Sequence, residues 1–94
     1  MKLEDYLSSL EQSNAPGDCS PYLTALWHDR RGDWARAHEI VQDIADNSAA
    51  WVHAYLHRKE GDLSNAKYWY GQAGRRVHSG SLEEEWTEIV EALI

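Results

Sequence analysis

Ninety-four residues suit one small domain with a single core and little surface to spare. A hydrophobic content of 43% and a charged content of 27% place the chain among folding sequences rather than disordered ones. The net charge of −7, with His neutral, argues against phosphate binding, which needs clustered Lys and Arg, so no nucleic-acid partner is expected.

Leu3, Tyr6, Leu7 and Leu10 recur at spacings of three and four, which predicts an amphipathic helix over about 2–12. Residues 13–18 form a turn-rich linker with Pro16 and Gly17. Ser20 and Pro21 start the next helix. Ser accepts backbone N–H bonds as N-cap, and Pro at the first helical position forfeits no bond. Leu23, Leu26 and Trp27 give that helix its apolar stripe. Gly32-Asp33 ends it and opens another, because Gly supplies a left-handed C-cap and Asp an N-cap. Trp34, Ala37, Val41 and Ile44 form the third stripe, and Asp46-Asn47-Ser48 a short turn. The fourth helix carries Trp51, Ala54 and Tyr55, and Gly61-Asp62 repeats the earlier punctuation. Leu63, Ala66, Tyr70 and Ala73 make the fifth stripe, followed by a loop over 74–80. Ser81 and Glu84 read as a capping box ahead of Leu82, Trp86, Ile89, Val90 and Leu93. The pairs Arg30-Arg31, Arg58-Lys59 and Arg75-Arg76 sit near helix C-termini, where positive charge is favourable. No segment alternates with period two, so no sheet is expected.

Gly61 follows Gly32 by 29 residues. The same offset relates Ala25 to Ala54, His28 to His57, Asp33 to Asp62 and Ala37 to Ala66. Such an offset is a repeat signature. Small Ala side chains let facing helices approach, and the Gly-Asp pair makes the tight turn between them. The expected fold is all-α: one domain over 1–94, with helical hairpins at about 21–45 and 49–73 and capping helices at about 2–12 and 82–93.

The run Gly61, Leu63, Ala66, Tyr70, Ala73 resembles the second half of a tetratricopeptide repeat, and residues 66–74 also resemble a Sel1-type repeat. Gly32, Trp34, Ala37 and Val41 form a weaker copy. The resemblance covers about residues 21–74. The 29-residue unit is shorter than the family's 34, and the family's Trp-Leu-Gly-Tyr pattern in the first helix is absent. The resemblance implies a protein–protein interaction role and carries over no catalytic residue.

Five Trp and five Tyr stand against no Phe, a choice that suits half-wet surfaces. Tyr68, Trp69 and Tyr70 are consecutive and span roughly 200° of helix, so one face cannot hold them all. With Tyr70 in the core stripe, Tyr68 and Trp69 are candidates for a groove wall. The equivalence of His28 and His57 suggests a shared orientation on the first helices of the two hairpins. His28, His53 and His57, with Trp51 and Tyr55, are therefore expected to line an inner partner-binding face. His53 and His57 share a helix face, and His38 and His28 lie on neighbouring helices, so a metal-binding protein or small enzyme using His28, His38, His53 and His57 is the alternative. No metal, cofactor or catalytic activity is expected, because no further ligand or general base is placed by spacing. The acids Glu83, Glu84, Glu85, Glu88 and Glu91 read mainly as a solvated face. The lone Cys19 permits no internal disulfide and makes a poor nucleophile without a placed base. With no secretory signal and no apolar run of roughly 18 residues, a cytoplasmic protein with no membrane partner is expected. The partner is then a protein or peptide, a second copy of the chain included.

Overall fold

The computed structural model describes residues 1–94. It contains six helices and no strand: α1 (Leu3–Ser9), α2 (Pro21–Arg30), α3 (Trp34–Val41), α4 (Asn47–Lys59), α5 (Leu63–Ala73) and α6 (Leu82–Leu93). None is long and apolar enough to cross a membrane.

The helix starts follow from side-chain capping. Ser20, Asp33, Asp46, Asp62 and Ser81 each accept a bond from a backbone N–H in the first turn. Ser81 and Glu84 complete the capping box reciprocally, at 3.0 Å in each direction.

The two Gly-Asp turns have the same geometry. Gly32 and Gly61 both stand at φ +87°, a left-handed conformation that a Cβ would strain. The Gly32 amide donates to the Asp29 carbonyl at 2.9 Å and the Asp33 amide to that of His28 at 2.9 Å. At the second turn, 29 residues on, Gly61 donates to Arg58 at 3.1 Å and Asp62 to His57 at 2.9 Å. Both are Schellman closures, in which the orphan carbonyls of a helix end are satisfied by the turn itself. Ala25, Ala54, Ala37 and Ala66 are all fully buried. α2 packs against α3 and α4 against α5, with α3 also touching α4.

The closing helix does not extend this series. α6 packs on α2 and on α4, the first helices of the two pairs. Trp86 lies in the core and its indole N–H donates to the Leu26 carbonyl at 3.1 Å. Tyr6 of α1 joins it, 6.1 Å between ring centroids, and donates to the Leu23 carbonyl at 2.6 Å. α6 therefore buries its apolar face across the inner helices.

Glu85 corrects the reading of the acidic run as solvated. Glu83 and Glu84 are exposed, but Glu85 is 0% exposed. Its carboxylate accepts from Arg58 at 2.8 Å, from the Tyr70 hydroxyl at 2.6 and 2.7 Å, and from the Trp51 indole at 3.3 Å. A buried charge is tolerable only when paired and hydrogen-bonded this fully. Asp29 is the second such group, holding the Tyr55 hydroxyl at 2.9 Å and Lys59 at 2.8 Å.

Candidate functional site

The residues expected on an inner face do not share one. Trp51 is buried, with its indole N–H on Glu85 and the Arg75 guanidinium 3.3 Å from its ring centroid. Tyr55 is buried with its hydroxyl on Asp29, and burial followed by the Asp29 charge pushes its titration well above the usual tyrosine range. His28 is half-buried at the end of α2, edge-on to Trp27 at 5.1 Å. Its equivalence to His57 reflects backbone: both carbonyls accept the closing bond of a Gly-Asp turn. The inner face is covered because a domain this small needs the apolar area of α6 against it.

His53 and His57 instead meet His38. One ring nitrogen from each of the three lies within 4.8 Å of the others. His53 and His38 face each other through their Nε2 atoms, 2.9 Å apart. The His53 and His57 rings stack at 4.8 Å, as expected one helical turn apart on α4. His38 reaches them from α3, at 4.6 Å from His53 and 5.2 Å from His57 between centroids. His53 and His57 are buried and His38 is half-buried, so the cluster has its solvent edge at His38.

Two indoles wall the cluster. Trp34 stacks on His38 at 5.0 Å, one turn along α3, and its N–H donates to the Leu56 carbonyl at 2.8 Å. Trp69 stacks on His53 at 4.0 Å from α5. His57 bonds through Nδ1 to Glu60 Oε1 at 2.6 Å. Burial lowers the pKa of His53 to about 4, with the His38 and His57 rings adding to the effect. Burial and His57 also lower that of His38, partly opposed by Glu60. At neutral pH these two rings are neutral and offer lone pairs.

Trp69 also belongs to a surface pocket of about 330 Å³ between the α3–α4 connection and α5. Ile44, Ala50, Tyr68 and Trp69 supply its apolar wall, and Asp43 and Asp46 its carboxylates. Tyr68 is 57% exposed and stands edge-on to Trp69 at 5.1 Å. Asp46 is held ionised by the Tyr22 hydroxyl, which donates to it at 2.5 Å, and by the Ala49 amide. Consecutive Tyr68 and Trp69 thus divide as their spacing requires, one outward and one between pocket and cluster.

Sequence reasoning counted His38 with His28, His53 and His57 as possible ligands but singled out neither the trio of His38, His53 and His57 nor Glu60 as the support of His57. The available signal was the pair of aromatics one turn apart on each helix: Trp34 with His38 and His53 with His57. Comparison with protein-family models, curated proteins and solved structures found no match to this chain.

Proposed function

We propose that this chain is a non-catalytic, tetratricopeptide-like interaction module of the cytoplasm that binds a protein partner through a segment bearing Lys or Arg. The pocket walled by Tyr68 and Trp69, with the Asp43 and Asp46 carboxylates beside them, carries this reading. An exposed aromatic ring attracts a cation over its face, and an adjacent carboxylate fixes the cation's position. The net charge of −7 adds long-range attraction for a basic partner. Burial of Trp51, bonded to Glu85 of α6, and of Tyr55, bonded to Asp29 of α2, argues for this outer site over the inner face.

The test is selection of a random peptide library on the immobilised, metal-free chain. Enrichment of peptides with Lys or Arg beside an apolar residue, lost on Tyr68→Ser with Asp43→Lys, supports the proposal. No enrichment, or enrichment unchanged by that double substitution, rejects it. Sedimentation of the same sample shows whether a second copy of the chain is the partner.

A further inference from the structure

We infer that His38, His53 and His57 form a binding site for one divalent transition metal ion, with zinc as its natural class. Three imidazoles converge from two helices, with one nitrogen of each within 4.8 Å of the others. Tetrahedral zinc with bonds of roughly 2.0–2.1 Å separates its ligand nitrogens by about 3.3 Å. The His38 and His53 nitrogens, at 2.9 Å, need to part by only a few tenths of an ångström. The His57 nitrogen, within 4.8 Å of the others, has at most about 1.5 Å to close to reach that spacing.

The donor set selects the metal. Three imidazoles and no carboxylate suit Zn²⁺, Cu²⁺ or Ni²⁺ and offer nothing to Mg²⁺ or Ca²⁺. Glu60 bonds the His57 ring at 2.6 Å, the carboxylate support that orients a metal-bound imidazole and raises its basicity. Trp34 and Trp69 fix the His38 and His53 planes by stacking. Between neutral rings at 2.9 Å, one Nε2 carries the hydrogen and the other accepts it. Metal binding through both moves that hydrogen to the Nδ1 of its own ring, so the charge of the rings does not change. Three protein ligands leave a fourth position, which opens toward solvent at half-buried His38.

The sequence offered His28, His38, His53 and His57 as possible ligands, but no spacing placed a third beside His53 and His57. The third comes from a different helix. The site stands independently of the proposed peptide pocket, since its test uses metal alone.

The experiment is calorimetric titration of the metal-free full chain with Zn²⁺ at pH 7.5, with Co²⁺ absorbance as a second readout. The expected result is about one ion per chain and the intense visible bands of four-coordinate Co²⁺. His38→Gln, His53→Gln and His57→Gln should each weaken Zn²⁺ binding by tenfold or more, and Glu60→Gln by about tenfold. His28→Gln and His78→Gln should leave it unchanged. His38→Gln keeps the test decisive if the buried variants fail to fold, because His38 is half-exposed. No binding by the wild-type chain overturns the inference. So does binding that survives His38→Gln in a chain whose circular dichroism is unchanged, or binding that falls equally with His28→Gln.

Discussion

Arg58 donates to the fully buried carboxylate of Glu85 at 2.8 Å, joining α4 to the closing helix. The same guanidinium also donates to the Gly80 carbonyl, so it anchors both α6 and the loop before it. Glu85→Ala would leave the Tyr70 hydroxyl and the Trp51 indole without their acceptor and Arg58 without its carboxylate partner. The expected cost is about 3–5 kcal/mol, the range for removing one partner of a buried ion pair. Urea unfolding measures it, and a loss under about 1 kcal/mol would mean that α6 is not held by this group.

Ala37 of α3 and Ala66 of α5 stand 29 residues apart, and both are 0% exposed. A larger side chain at either would push the packed helices apart. Ala37→Leu and Ala66→Leu should each destabilise the fold by about 1–3 kcal/mol. Thermal unfolding of the two variants checks this, and unchanged midpoints in both would remove the packing basis of the proposed repeat.

His53 makes stability depend on acid. The unfolded imidazole titrates near 6.5 and the folded one at about 4. Between those values the unfolded chain binds the extra proton, so its contribution is complete above pH 6.5 and drains away as pH falls toward 4. The direction at His38 is the same. For the metal-free chain the loss through this window is on the order of 2 kcal/mol. Denaturant unfolding at pH 7 and pH 5 measures the slope, and His53→Gln should flatten it. An identical slope in that variant would place the proton elsewhere.

The helices were legible because their signals are local. A cap, a Gly with positive φ and an apolar stripe act within a few residues, so Ser20-Pro21, Gly32-Asp33, Gly61-Asp62 and the Ser81–Glu84 box marked helix ends without reference to the rest of the chain. The 29-residue offset likewise identified Ala37 and Ala66 as contact positions, since small residues at a fixed spacing signal close packing. Glu85 was not legible. Its neighbours in sequence are solvated acids, and its partners lie 15 to 34 residues away.

The sequence by itself determined an all-helical chain, the ends of its helices and which stripes are apolar, because these depend on backbone sterics and on periodicity within each segment. Only the tertiary structure decided what each stripe meets. It laid α6 over α2 and α4, and it turned Trp51, against α6, and Tyr55, against Asp29 of α2, from site candidates into core. It also brought His38 to His53 and His57 while leaving His28 aside. Those outcomes follow from how helices pair to bury the largest apolar area around one small core, a competition among distant residues that no local spacing records.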